Sequence, residues 1–142
     1  MAWSRLKSKI EERFAASLRK RVTIHITSYH DAGWLEGRGW LLIDGTELPL
    51  ASTQPYGVER APGQHDRPSF HQALADYLDL SISHAIASKD PMQRGLAMID
   101  RRLGRRRFEA LQLSPEEHPV VRQLYELRAS AEEWSPSPLN GS

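Results

Sequence analysis

The spacing of the apolar residues changes near Val22 from the period of a helix to that of a strand, and this change limits the folds open to the chain. Before it, apolar residues recur every four positions among charged ones, which is typical of an amphipathic helix: Leu6, Ile10, Phe14 and Leu18. After it, Val22, Ile24 and Ile26 alternate with polar residues, as in a half-buried strand. We therefore expect a helix, with Ser4 as its N-cap, packed against a sheet.

A hairpin is predicted directly after the first strand. Asp44-Gly45 lies between two apolar runs, and this pair tolerates the positive φ angles of a tight turn. The turn implies strands at 38–43 and 46–50. Because Pro49 has no N–H to donate, the last strand should end there or lie at the edge of the sheet.

A long loop and two helices should follow the hairpin. Residues 51–68 show no period and predict a long loop, for which a variable surface insertion and a functional loop both remain open. Apolar residues at helical spacing predict one continuous helix across 70–86. The next helix should begin at Pro91, with Asp90 as its N-cap, and end at Gly104 in the left-handed conformation.

The remaining chain completes an α+β fold. A short turn is expected around Phe108, and a last helix near Pro119, behind a capping box that begins at Ser114. The predicted architecture is an N-terminal helix on a small antiparallel sheet of about three strands, followed by three or four helices. One globular domain at 2–134 should precede a disordered tail at 135–142.

Composition excludes several classes of protein. The 142 residues include no cysteine, which rules out a disulfide scaffold, a zinc ribbon, an iron–sulfur cluster and a thiol nucleophile. No apolar run is long enough to cross a bilayer, and the N-terminus has no secretion signal, so we expect a cytoplasmic protein.

The net charge of +1 hides a strong segregation of charge along the chain. Residues 1–22 carry +5 and residues 94–107 carry +5, whereas 23–93 carry −5 and 108–142 carry −4. The two basic segments would form a positive surface for an anionic partner if they meet in the fold. They would equally serve to pair with the acidic segments of the same chain.

Three stretches carry a resemblance to a known family: WSRLKSKIEERFAASLRKRV, GRGWLLIDG, and SKDPMQRGLAMIDRRLGRRRFEALQLSPEEHPVVRQLYELR. They resemble a family of small, uncharacterised bacterial cytosolic proteins that open with a Trp-Ser-x-Leu-Lys helix and carry an Asp-Arg-Arg-x-Gly-x-Arg-Arg segment. The resemblance covers most of the chain outside 51–68. It implies no activity, cofactor or partner.

The strongest chemical signal is the arginine segment, which we define as Arg101, Arg102, Arg105, Arg106 and Arg107. Guanidinium groups at this density are suited to the carboxylates or phosphates of a partner. The same groups would also stabilise a helix C-terminus and pair with Glu109, Glu116 and Glu117. A binding surface and a structural brace therefore both remain open.

We interpret the chain as a non-enzymatic binding module, immunity-like or adaptor-like, whose arginine segment contacts an acidic protein. Trp34 is a second candidate contact, because aromatic side chains anchor many interfaces. Binding of a nucleic-acid backbone by the same arginines is the alternative, although the chain has no nucleic-acid-binding motif. A third hypothesis is a hydrolase that uses His25 or His71.

Neither a cofactor nor a metal site is predicted. The histidines lack the helical i, i+4 spacing that places two imidazoles on one metal ion. The sequence also contains no phosphate-binding loop and no serine nucleophile motif.

Overall fold

A computed structural model describes residues 1–26, 39–50, 52–53, 64–65 and 67–134. Trp34, most of the predicted loop at 51–68 and the predicted tail at 135–142 lie outside these residues. The described elements, in chain order, are α1 (Trp3–Glu12), a 3-10 helix (Ala16–Leu18), β1 (Val22–Ile26), β2 (Gly39–Ile43), β3 (Thr46–Pro49), β4 (Ser52–Thr53), β5 (Gln64–His65), α2 (Arg67–Asp79), α3 (Ile82–Ile86), α4 (Pro91–Met98), α5 (Arg105–Ala110) and α6 (Pro119–Glu132).

The predicted α+β fold is confirmed: an N-terminal helix, a three-stranded antiparallel sheet in the order β1-β2-β3, and then several helices. Asp44 and Gly45 have φ angles of 51° and 86°. The hairpin therefore turns where the sequence predicts, since tight hairpin turns need positive φ at both central residues. β3 lies at the sheet edge and ends at Pro49.

The apolar residues at helical spacing continue beyond the C-terminal end of the first helix. α1 ends at Glu12, and its N-cap is Ala2 without a side-chain bond, so the prediction of Ser4 as the cap is wrong. Phe14 forms an isolated bridge with Asp100, and Leu18 lies in the 3-10 helix. Both side chains are nevertheless buried beside Leu6 and Ile10, because the chain continues along the same core.

Two charged side chains of α1 bind the backbone at the outer edge of β1. Lys7 Nζ donates to Ile24 O at 2.6 Å, and Ile24 N donates to Glu11 Oε2 at 2.9 Å. Lys7 and Glu11 also form an i, i+4 ion pair at 2.7 Å. An open strand edge can pair with other chains, and these charged side chains satisfy the backbone groups that would do so.

Two helices replace the single helix predicted across 70–86. α2 ends at Asp79, and α3 starts after Ser81, whose Oγ accepts from the His84 N–H. The N-cap bond at Ser81 explains the break, because a serine side chain competes with the preceding helix for backbone donors.

The helix from Pro91 is capped as predicted but is shorter. Asp90 Oδ1 accepts from Met92 N at 2.9 Å, and α4 ends at Met98. Gly104 has φ −82° and is the N-cap of α5, so the prediction of a left-handed helix end there is wrong. The expected turn around Phe108 is the helix α5.

The last helix begins at Pro119, as predicted, with a different cap. His118 Nδ1 accepts from Val120 N, whereas the Ser114 hydroxyl accepts from Glu116 N and does not form the predicted capping box.

The core lies between the sheet, α1 and the helices α2, α4 and α6. Phe108 of α5 stacks on Tyr125 of α6 at 4.4 Å between ring centroids. No helix of the described residues is both long and apolar enough to span a bilayer. The largest fully buried side chains are Tyr77, Phe14, Phe108, Leu6, Ile10, Leu18, Ile24, Leu41, Leu74, Met92, Leu96 and Met98.

Candidate functional site

The turn between α4 and α5 contains a buried carboxylate, that of Asp100. This residue is fully buried, and its Oδ2 accepts from the Tyr77 hydroxyl at 2.5 Å. Arg102 binds the same carboxylate through Nε, Nη2 and its backbone N–H, and its Nη1 donates to Leu80 O at 2.9 Å. Arg102 therefore connects this turn to the end of α2 and is engaged inside the fold.

The pKa values of the residues around Asp100 reflect this arrangement. Burial, and then the charge of Asp100, raise the pKa of Tyr77 well above its usual value, so the phenol keeps its proton and donates it. The hydrogen bond to Asp100 raises the pKa of Arg102. The pair is charged, internally satisfied and only partly open to solvent, because Arg102 is 27% exposed and Asp100 is not exposed.

A second buried arginine, Arg128 of α6, binds the main chain of the same turn. Its guanidinium donates to the carbonyls of Met98 at 3.2 Å, Asp100 at 2.8 Å and Leu103 at 2.9 Å. The side chain is 3% exposed and lies over the ring of Trp134. This arginine was not selected from the sequence, because it stands alone in an acidic segment and sequence spacing does not show its partners.

The turn after α4 also binds the end of α1. Arg101 N donates to Arg13 O at 2.6 Å, and Ala15 N donates to Ile99 O at 2.8 Å. These backbone bonds place the start of the second basic segment against the first, although the two are nearly 90 residues apart in sequence.

The side chains of Arg19 and Arg101 meet at this point. Arg19 Nη2 and Arg101 Nε each donate to Glu12 O at 3.2 Å, and Arg19 Nε also donates to Phe14 O. The carbonyls at a helix C-terminus carry partial negative charge and attract cations, which explains the convergence. Both side chains are exposed, and within the described part of the chain neither forms an ion pair. We call these two residues the arginine pair.

The other three members of the arginine segment lie on the first turn of α5 and are exposed. The sequence predicts these arginines at a helix C-terminus, but they lie at the N-terminal end of α5. Their positive charges therefore interact unfavourably with the helix dipole. Arg105 approaches Glu109 at 3.3 Å, and Arg107 donates to Ser83 Oγ at 3.2 Å. Arg106 forms no side-chain hydrogen bond or ion pair with a described residue.

The arginine segment therefore divides into two parts. Arg102 is bound inside the fold, whereas the other four guanidinium groups reach solvent. Of the predicted acidic partners, Glu109 pairs with the segment, whereas Glu117 binds Arg94 at 2.9 Å and 3.0 Å. Arg19, which lies beside Arg101, was not predicted as a site residue. The sequence contains no motif that indicates it, only the positive charge of residues 1–22.

Among the described residues, two histidines lie within hydrogen-bond distance of a hydroxyl group: His84, beside Ser81 Oγ, and His25. His25 stacks on Trp40 on the outer face of the sheet, at 5.8 Å between centroids, and its Nε2 lies 2.8 Å from Thr23 Oγ1. Trp40 is half-buried there and does not belong to the hydrophobic core. Partial burial, and then the charge of Lys7, lower the pKa of His25. In the described residues, no three potential ligands cluster as a metal site requires.

Comparison with known proteins gives one kind of match. The model of a family described as the SF0329 protein family matches two overlapping stretches of the chain, residues 2–61 and 51–129. That description names no activity, substrate or partner. Neither a curated protein nor a solved structure matches the chain.

Proposed function

Since the chain belongs to the SF0329 protein family, an uncharacterised family, we propose a function from its surface: a cytoplasmic, non-enzymatic binding module that contacts an acidic protein partner. The contact surface consists of the arginine pair, Arg19 and Arg101, together with the exposed arginines of α5, Arg105, Arg106 and Arg107.

The observation that carries the proposal is the convergence of the arginine pair on one carbonyl oxygen. Two guanidinium groups that donate to the same atom are close enough to repel each other. Neither is neutralised by a carboxylate of the described residues. A carboxylate from a partner would relieve this repulsion, and guanidinium groups match its planar geometry.

The α5 arginines extend the same chemistry by a few residues along the chain. Their internal contacts are an exposed i, i+4 pair and one bond to a serine hydroxyl, which stabilise a fold little. Three successive exposed cations at the positive end of a short helix favour an anionic partner over a structural role.

The first experiment measures binding of a fluorescent poly-L-glutamate peptide to the wild-type chain, to an Arg105→Ser/Arg106→Ser/Arg107→Ser variant and to an Arg19→Ser/Arg101→Ser variant. Exposed charge pairs contribute about 0.5 kcal/mol each. Loss of the three α5 cations should therefore weaken binding about tenfold. The variant of the arginine pair should weaken it about fivefold.

A matched control removes two exposed cations from elsewhere. Arg5→Ser/Lys89→Ser changes the net charge as much as the arginine-pair variant does, and neither side chain forms a hydrogen bond or an ion pair with a described residue. If this control weakens peptide binding equally, the effect is one of net charge and the proposed surface is wrong.

An oligonucleotide titrated in parallel tests the nucleic-acid alternative. The partner is a nucleic acid if the oligonucleotide binds more tightly than the peptide and depends on the same arginines. Its affinity should then fall steeply as the salt concentration rises. We expect the peptide to bind more tightly.

Thermal unfolding distinguishes arginines that bind a partner from arginines that stabilise the fold. The α5 triple variant should melt within about 2 °C of the wild type, since it loses only exposed contacts. An Arg102→Ser variant should melt several degrees lower, because it leaves the buried Asp100 without its cation. An equal decrease in melting temperature in both variants would show that the α5 arginines stabilise the fold.

A further inference from the structure

A cleft of ≈ 430 Å³ lies between α1 and the end of α2. This volume is in the range of sites for small molecules. One helix supplies most of its charged side chains and the other most of its apolar wall. The cleft is lined by Met1, Lys9, Glu12, Arg13, Ala75, Leu78 and Asp79.

Beside the N-terminal residue Met1, the cleft brings together two cationic and two anionic side chains that do not pair. Lys9, Glu12 and Arg13 are three and four residues apart and therefore share one face of α1, and Asp79 ends α2. Among the described residues, no N···O distance within 4.0 Å joins these groups to each other or to other side chains. Opposite charges that face one space without pairing leave room for a ligand that carries both signs.

Arg13 places a positive charge at this cleft. Its Nη2 donates to Leu78 O at 3.1 Å, which fixes the guanidinium beside α2, whereas the buried Nη1 is closed to solvent and therefore to a ligand. The guanidinium thus attracts an incoming carboxylate through its charge. Lys9, one helical turn earlier, is a like-charged neighbour whose repulsion the same carboxylate would offset.

We propose that this cleft binds a zwitterion with an apolar side chain, either a free amino acid or a short peptide. Its carboxylate binds between Lys9 and Arg13, and its ammonium group binds Glu12 and Asp79. Its side chain packs on the apolar wall of α2 formed by Ala75 and Leu78. A simple anion or cation would leave two of the four charges without a partner, which is why both signs are required.

This site does not depend on the proposed protein-binding surface. The arginine pair uses the backbone carbonyl of Glu12, whereas the cleft uses its carboxylate. Poly-L-glutamate binding and zwitterion binding can therefore fail separately.

The test is a titration of the ¹⁵N-labelled full chain with L-leucine and with the dipeptide Leu-Leu, followed by amide chemical shifts. Saturable shifts confined to α1 and the second half of α2 are expected. Two analogues lack one charge each: 4-methylpentanoate has no ammonium group, and 3-methylbutylamine has no carboxylate. Each should bind at least about tenfold more weakly, the equivalent of one lost charged hydrogen bond.

Charge-removing variants locate the site. Asp79→Asn and Lys9→Gln should each weaken binding of the tighter ligand about tenfold. The matched controls Asp76→Asn on α2 and Arg5→Gln on α1 change charge on the same helices outside the cleft and should leave the affinity unchanged. Absence of saturable shifts with both ligands, equal binding of the single-charge analogues, or equal effects of the control variants would each overturn the proposal.

Discussion

At the residue scale, the fold depends on how the charge of Asp100 is satisfied. A carboxylate with no solvent exposure is tolerated only when donors surround it. Tyr77 and Arg102 supply those donors from the side, and the Arg102 backbone N–H supplies another. Because Tyr77 lies on α2 and Arg102 in the turn after α4, the carboxylate joins these two parts of the fold.

Replacing this carboxylate tests its role. Asp100→Asn should lower the free energy of unfolding by about 3 kcal/mol, because it leaves a partly buried guanidinium without its counter-ion. Tyr77→Phe removes one hydrogen bond from the same group and should cost about 1 kcal/mol. Urea unfolding of both variants checks the order; an Asp100→Asn variant as stable as the wild type would contradict this account.

His25 makes the stability depend on pH in a predictable direction. Its pKa in the folded chain lies below the ordinary value of 6.5, because of partial burial and then the charge of Lys7. Below pH 6.5 the unfolded chain takes up a proton that the folded chain does not, so stability falls with acidification until the folded pKa is passed. At neutral and higher pH this contribution vanishes.

NMR titration of the imidazole should show His25 with a pKa below 6.5, and Lys7→Met should shift it upward. A His25→Gln variant should lose this part of the pH dependence. An imidazole that titrates at 6.5 or higher in the wild type would contradict the prediction.

At the element scale, the packing of α2 on the sheet requires a glycine at the start of β2. A Cβ at Gly39 would lie 1.9 Å from Phe70 Cζ, far inside contact distance. Phe70 is 2% exposed, so its ring has little room to move. The close approach of the ring to the strand backbone thus sets the distance between α2 and the sheet.

Gly39→Ala should therefore destabilise the protein by about 2 kcal/mol, as overpacking does in cores. Gly104→Ala is the matched control, since its φ is −82° and no atom lies within 4 Å of its added Cβ. Its effect should stay below about 1 kcal/mol, the cost of alanine in place of glycine at an N-cap. In a Phe70→Ala background the cost of Gly39→Ala should disappear. A double-mutant cycle measures this coupling, and purely additive effects would rule out the steric explanation.

At the scale of the whole molecule, the turn between α4 and α5 joins the two ends of the chain. The end of α1 binds it through backbone hydrogen bonds, and α6 binds it through Arg128. Partial burial lowers the pKa of Arg128, although an arginine stays protonated in proteins. Of the three carbonyls that it binds, that of Asp100 also accepts from Leu103 N at 3.0 Å, and the side chain joins α6 to this turn through all three.

Arg128→Met should lower the free energy of unfolding by about 3 kcal/mol, because the carbonyls of Met98 and Leu103 lose a buried donor and that of Asp100 keeps only Leu103 N. Glu132→Gln removes the charge of its 3.4 Å ion-pair partner and should cost less than about 1 kcal/mol. Chemical denaturation should show a lower midpoint with an unchanged slope for Arg128→Met. Similar stabilities for the two variants would show that the guanidinium does not hold the turn.

The sequence by itself determined what local rules decide. The apolar periods predicted the order of helix, sheet and helices, and Asp44-Gly45 and Asp90-Pro91 predicted a turn and a helix start, because these signals act through neighbouring residues. The predicted domain at 2–134 and the predicted roles of Trp34 and the exposed arginines stay predictions.

Only the tertiary structure decided where the first helix ends, that Ser81 divides the next, and which arginines are held within the fold. Arg101 meets Arg19 at the carbonyl of Glu12, and Arg128 binds a turn about a fifth of the chain away. Such contacts join residues that are distant in sequence, and no local spacing encodes them. The same charged residue is therefore a brace or an exposed contact according to which backbone groups the fold brings to it.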